Sequence, residues 1–194
     1  MAADRVWTVP NVISLIRLGL ALMVFVAIEL RHDVAALGLF VVAASTDWID
    51  GWYARRYHAV SRLGRILDPL VDKVIVCGAV VLLAAAGSPL AAWMAVVIVV
   101  RELVVTAVRA EMERHGRDFS AQFTGKVKML LQCVAVALVL AARVWPDARI
   151  ATLSWERAAT WVAWAAVVAT IWSGLEYVFA ARTLFGDGGD GPGG

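Results

Sequence analysis

The stretch that decides the fold reads Asp47-Trp-Ile-Asp50-Gly51-Trp-Tyr-Ala54-Arg55, then eight residues, then Gly64-Arg-Ile-Leu-Asp68-Pro-Leu-Val-Asp72. Asp47 and Asp50 stand at i and i+3, Asp68 and Asp72 at i and i+4, so each pair shares one helix face. Both pairs border long apolar runs, where an uncompensated carboxylate is expensive. The flanking chain has to explain why they are there.

Working outward, the apolar runs are long. Segments 11–30, 34–54, 70–87, 89–110, 126–145 and 157–182 each have the length to cross about 30 Å of hydrocarbon as helix. Apolar residues make up 61% of the 194 residues and charged ones 18%, and the mean hydropathy is +0.75. Soluble domains run nearer half apolar and a quarter charged. The expected fold is therefore all-α, a polytopic membrane protein with six transmembrane helices and a short amphipathic lead-in over residues 1–10. Pro10 suits a helix start, and Asn11 beside it a cap. Residues 1–185 read as one membrane domain, and 186–194, rich in glycine, as a disordered tail. No cleavable signal peptide is expected, because the first apolar run is long for one and Asp4 precedes it beside Arg5.

Net charge is only +2, which gives no reason to expect a nucleic-acid partner. The distribution of cations says more. Arg5, Arg55, Arg56, Arg62, Arg65, Arg109, Arg114, Arg117, Lys126, Lys128 and Arg182 fall on one side of the expected topology. Only Arg31, Arg143, Arg149 and Arg157 fall on the other. Eleven against four places both termini and the Asp47–Asp72 stretch on the cytoplasmic side of the cell membrane. Trp145, Trp155, Trp161 and Trp172 read as interfacial anchors, and Cys77 and Cys133, each alone in an apolar run, as packing residues.

Asp47 lies roughly 20 Å into the second segment at 1.5 Å per residue, near its cytoplasmic end. Asp68 and Asp72 open the third segment at similar depth, so the two pairs can face one another. Any single aspartate is accounted for by an ion pair with Arg55, Arg56 or Arg65, or, for Asp68 before Pro69, by an N-cap. Four in paired spacing are not. Two carboxylate pairs suit one or two hard divalent cations and leave coordination positions for phosphate oxygens. Gly51 and Ala54 clear the adjoining helix face, and Arg55 adds a phosphate-binding fork. That combination points to a substrate bearing a diphosphate.

With those positions in view, the stretch resembles the CDP-alcohol phosphotransferases, whose signature D-x2-D-G-x2-A-R-x8-G-x3-D-x3-D is met at Asp47, Asp50, Gly51, Ala54, Arg55, Gly64, Asp68 and Asp72. The resemblance implies an integral membrane homodimer that transfers a phosphatidyl group from CDP-diacylglycerol to an alcohol and releases CMP. It also implies Mg2+ or Mn2+, two ions held by Asp47, Asp50, Asp68 and Asp72, with Asp72 doubling as general base. Pro10, Asn11, Asp47, Gly51, Ala54, Arg55 and Ser61 would contact the CDP-diacylglycerol.

The acceptor is addressed by the second half. Arg109 and Lys126 bracket a cytoplasmic loop, with Arg101 and Lys128 nearby. As ordinary residues they are an internal Arg–Glu pair with Glu102 plus positive-inside charge. As a cluster they make a pocket for a second phosphate, carried by glycerol 3-phosphate but not by serine or choline. Arg101-Glu102-Leu-Val-Val-Thr106-Ala-Val-Arg109 and Gly125-Lys126-Val-Lys128-Met129-Leu-Leu-Gln132 are similar to the bacterial phosphatidylglycerophosphate synthases. So is Asn11-Val-Ile-Ser14-Leu-Ile-Arg17-Leu18. Met129 departs from that pattern, which usually has Thr there. The expected reaction joins CDP-diacylglycerol and glycerol 3-phosphate. The rivals are the same chemistry on inositol 1-phosphate and a divalent-cation transporter lined by the four aspartates.

Overall fold

The computed structural model describes residues 9–57, 64–114, 123–150 and 152–186, with side chains described outside 9–11, 13, 47–70, 72, 113–114, 123, 150 and 180–186. Among the described residues six helices follow one another: α1 (Val9–Glu29), α2 (Asp33–Tyr57), α3 (Gly64–Ala85), α4 (Ala92–Arg114), α5 (Phe123–Val144) and α6 (Trp155–Gly186). Between α5 and α6, β1 (Arg149–Ile150) and β2 (Leu153–Ser154) pair antiparallel, Arg149 opposite Ser154. Helices satisfy their backbone polar groups internally, which hydrocarbon demands.

Local chemistry ends these helices. α1 closes through Arg31, which adopts a left-handed φ of 59°, while the His32 amide donates to the Ala27 carbonyl at 2.9 Å. α3 closes at Gly87, with φ of 72° and the Ser88 amide donating to Leu83 at 3.3 Å. A glycine bears that conformation without a Cβ penalty. At the same end of the bundle Asp33, opening α2, pairs with Arg143 in the last turn of α5, Nε to Oδ1 3.0 Å. Each charge opposes the dipole of its own helix end.

In the bundle, α1 packs on α2 and α3, α5 on α2, α3 and α6, and α4 on α3 and α6. The core is built from helical stripes such as Ala21, Val24 and Ile28 on α1, Ala36, Phe40 and Ala43 on α2, and Ala159, Ala163 and Val167 on α6. Alanines in these stripes let helix backbones approach closely. Gly78 takes this furthest, since a Cβ there would run into the Phe25 ring.

The outside is apolar as well. Leu103 is 66%, Leu130 65% and Trp161 72% exposed, an arrangement that water penalises and lipid does not. The protein is an all-α integral membrane protein. Thr124–Val144 and Trp155–Phe179 have the length and apolarity to span a bilayer on their own. Of the expected interfacial tryptophans, Trp145, Trp161 and Trp172 are exposed, and the Trp145 and Trp155 rings lie 6.5 Å apart.

Several boundaries differ from the hydropathy reading. α3 begins at Gly64 rather than at 70, so Asp68 and Pro69 lie within the helix and Asp68 is not its N-cap. α1 begins at Val9, which puts Asn11 in the first turn instead of at the cap. α2 runs on to Tyr57, α5 starts at Phe123 and α4 starts at Ala92. α6 reaches Gly186, the first residue of the expected tail; 187–194 lie outside the described residues, as do 1–8 of the expected lead-in. Except at the start of α4, which falls later than expected, these helices run longer because hydropathy registers only their apolar part while backbone hydrogen bonding continues through the charged ends.

Candidate active site

The aspartate motif is divided between two helices. Asp47, Asp50, Gly51, Ala54 and Arg55 occupy the last three turns of α2, and Gly64, Asp68 and Asp72 the first nine residues of α3. The connection over 58–63 is short, so both halves lie at the same end of the bundle, opposite the Asp33–Arg143 pair. The side chains of these positions, and of Pro10 and Asn11, lie outside the described residues, as does Ser61 altogether. By residue type the four motif aspartates, carried on two consecutive helices, offer oxygen ligands alone. That chemistry fits a hard divalent cation.

Next to this end lies a cavity of about 250 Å³ lined from four helices. Pockets for drug-sized ligands usually measure about 300–1,000 Å³, so this one suits a smaller molecule than a nucleotide lipid. Lys73 enters it from α3, Arg101 and Arg109 from α4, Lys126 and Lys128 from α5, and Tyr177 from α6. Arg101, Val105 and Arg109 line it at i, i+4 and i+8, one stripe of α4. The four cations expected from the sequence thus line one space, and Lys73 is a fifth.

Among the described residues lining the cavity, Glu102 is the one carboxylate. It is buried and accepts a hydrogen bond from Lys128, with Arg101 Nη1 at 3.4 Å from the same oxygen. The expected Arg–Glu pair is therefore present, but the stronger partner is the lysine on α5. Arg101 is also fixed from α6: Nη2 donates to Ser173, and the guanidinium lies 5.7 Å from the centroid of the Tyr177 ring. Gly174 leaves space for its stem, since a Cβ there would stand 3.1 Å from Arg101 Cγ.

A second chain of bonds links α3 to α4. Thr106 Oγ1 donates to the Glu102 carbonyl at 2.5 Å, and Lys73 donates to Thr106 Oγ1. Deeper in the bundle, buried Gln132 donates to Thr170 at 3.0 Å, which joins α5 to α6. Arg109 is half-buried and Lys126 exposed. Among the described lining residues, five cations against one carboxylate leave a formal excess of four positive charges (five minus one). A multiply charged anion is what such a site can hold.

Lys73, Thr106, Ser173 and Tyr177 were not assigned from the sequence. Lys73 carried a signal, a lysine directly after Asp72 inside an apolar run. The two α6 residues carried none, because they meet Arg101 only through tertiary packing.

A helical membrane bundle with a carboxylate motif at one end and a cationic cavity beside it defines an integral membrane enzyme acting on phosphorylated substrates. Residues 7–172 match the family model described as CDP-alcohol phosphatidyltransferase, and the chain belongs to that family. It is 36% identical to the CDP-diacylglycerol–glycerol-3-phosphate 3-phosphatidyltransferase of Bacillus subtilis over 152 residues, 78% of this chain and 75% of the relative. It is 34% identical to the Escherichia coli protein of the same name over 186 residues, 91% of this chain and 96% of the relative. The Shigella flexneri protein of that name is 33% identical over the same span.

Proposed function

We propose that this protein transfers the phosphatidyl group of CDP-diacylglycerol to glycerol 3-phosphate, giving phosphatidylglycerophosphate and CMP. The observation that carries the acceptor is the cavity of about 250 Å³, lined by five cations and one engaged carboxylate. A small alcohol bearing a dianionic phosphate matches its size and charge; an uncharged alcohol would leave the cations uncompensated. The relatives' names support the same donor and acceptor.

In this reading the donor's diphosphate lies over the face that Gly51 and Ala54 keep clear, with Arg55, Pro10, Asn11 and Ser61 as further contacts. The acceptor's phosphate sits among Arg101, Arg109, Lys126 and Lys128, which directs its hydroxyl toward the α2–α3 end. That hydroxyl oxygen forms a bond to the phosphorus carrying diacylglycerol as the bond from that phosphorus to the bridging oxygen breaks. CMP leaves with the electron pair, and Asp72 takes the hydroxyl proton. Asp47, Asp50, Asp68 and Asp72 would hold two Mg2+ or Mn2+ ions. When bound, these supply positive charge to the diphosphate and the departing CMP.

The proposed topology has six spans, with both termini and the site on the cytoplasmic side by the eleven-to-four cation distribution. The enzyme would work as a homodimer. The cation-transporter alternative is weaker, because the aspartates gather at one end of the bundle and a cation pathway has no use for a positively charged cavity.

The test offers CDP-diacylglycerol with glycerol 3-phosphate, inositol 1-phosphate or glycerol to the purified enzyme and measures CMP. Strong preference for glycerol 3-phosphate is expected. Turnover with the inositol phosphate alone would transfer the proposal to that acceptor, and no CMP from any of them would remove the enzymatic reading.

A further inference from the structure

Lys73 is the cavity cation that belongs to the same helix as half of the aspartate motif, beside the uncharged lining residues Val76 and Cys77 of α3. It follows Asp72 directly on α3, so its Cα stands about 3.8 Å from that of the proposed base. The other cavity cations come from α4 and α5. Lys73 is therefore the covalent link between the phosphate-binding side and the reacting side.

Its hydrogen bonding fixes what it has left to offer. A threonine hydroxyl has a single proton, and Thr106 uses it on the Glu102 carbonyl at 2.5 Å. Thr106 Oγ1 thus acts as acceptor toward Lys73. An ammonium has three N–H donors. Among the described residues one goes to Thr106, which leaves two at the cavity. Among the described residues, the carboxylate lining the cavity beside Lys73 is Glu102, which already receives Lys128 and faces Arg101. Thr106 thus acts as a clamp on a lysine that keeps donors for a ligand.

We propose that Lys73 is a specificity-determining contact to the acceptor's phosphate, held in register by Thr106 so that the phosphate is anchored from the helix that carries Asp72. This rests on the phosphorylated-acceptor reading above and adds to it a residue and a positioning partner. Lys73 makes the enzyme prefer a phosphorylated over an unphosphorylated short alcohol, and Thr106 aims it.

The experiment uses the full-length enzyme in mixed micelles with CDP-diacylglycerol, following CMP release with glycerol 3-phosphate and, separately, with glycerol. Loss of one charge-assisted contact predicts that Lys73→Met lowers kcat/KM for glycerol 3-phosphate roughly tenfold or more, mainly through KM. Its kcat/KM for glycerol and its KM for CDP-diacylglycerol should stay within about twofold of wild type. Thr106→Val should shift the same selectivity ratio in the same direction by a smaller factor, and Thr106→Ser should restore it.

A Lys73→Met enzyme that keeps the wild-type ratio, or one that loses donor affinity instead, overturns the inference alone. If Lys73→Met fails to fold, an unchanged ratio in Thr106→Val overturns it. A wild-type enzyme that does not distinguish glycerol 3-phosphate from glycerol overturns the acceptor reading, and this inference with it.

Discussion

Lys128 on α5 donates to Glu102 on α4 with both side chains buried, Lys128 being 5% and Glu102 6% exposed. The pair joins two helices at the wall of the cavity and holds a carboxylate among five cations. Removing one partner of a buried pair leaves the other charge uncompensated. Glu102→Gln should therefore destabilise the protein by about 3 kcal/mol or more, read as a lower Tm in detergent. An anion in the cavity would replace part of the missing charge. Glycerol 3-phosphate should accordingly raise the Tm of Glu102→Gln by more than it raises that of wild type. Equal shifts would mean that Glu102 does not set the cavity's charge balance.

The close approach of α3 to α1 offers a test of the fold independent of the site. Gly78 on α3 faces the Phe25 ring of α1 with no space for a Cβ. Gly78→Val should cost about 1–3 kcal/mol through overpacking. Combining it with Phe25→Ala should recover part of that loss, because the two residues share one contact. Strict additivity in a thermal-unfolding cycle would show that α1 and α3 do not meet there.

The donor set leads to a metal prediction. Chelation by EDTA should abolish CMP release, and Mg2+ or Mn2+ should restore it, whereas Ca2+, which prefers looser coordination at longer distances, should restore less. Asp50→Asn should raise the metal concentration needed for half-maximal rate. Full activity in EDTA would dismiss the four aspartates as cation ligands.

The proposed base separates binding from chemistry. Asp72→Asn retains a ligand oxygen but cannot take the acceptor's proton, so turnover should fall by about 10²-fold or more while CDP-diacylglycerol still binds. Tritiated CDP-diacylglycerol retention with undetectable CMP release is the expected pair of readouts. Near-normal turnover would remove Asp72 from the role of base.

What was legible in the sequence was local. The motif's spacing placed Asp47 and Asp50 on one helix and Asp68 and Asp72 on the next, and α2 and α3 carry them there. Arg109 and Lys126 bracket one loop, so their convergence followed from topology. Lys73 and Thr106 are 33 residues apart, and Arg101 and Ser173 are 72 apart. Nothing in a single sequence pairs such positions, because helix rotation and packing decide which faces meet. The misassigned caps at Asn11 and Asp68 have a related cause. A helix leaving the hydrocarbon continues through polar residues that hydropathy reads as loop.

Lys126 is the exposed member of the cation group, at the start of α5, while Lys128 two residues on is buried against Glu102. The two lysines should therefore respond differently to truncation. Lys126→Ala removes a solvent-facing charge that no described ion pair employs, so stability should hardly change. Its effect should fall on the acceptor: a rise of roughly threefold to tenfold in KM for glycerol 3-phosphate, with kcat and the KM for CDP-diacylglycerol nearly constant. Added salt should shrink the difference from wild type, because an exposed charge acts through a screened field. Lys128→Ala, in contrast, strands Glu102 and should lower Tm together with activity. Steady-state kinetics at two ionic strengths, paired with thermal unfolding, distinguish the cases. Lys126→Ala losing stability, or Lys128→Ala losing only acceptor affinity, would reverse the assignment of which of the two phosphate-binding lysines also supports the wall.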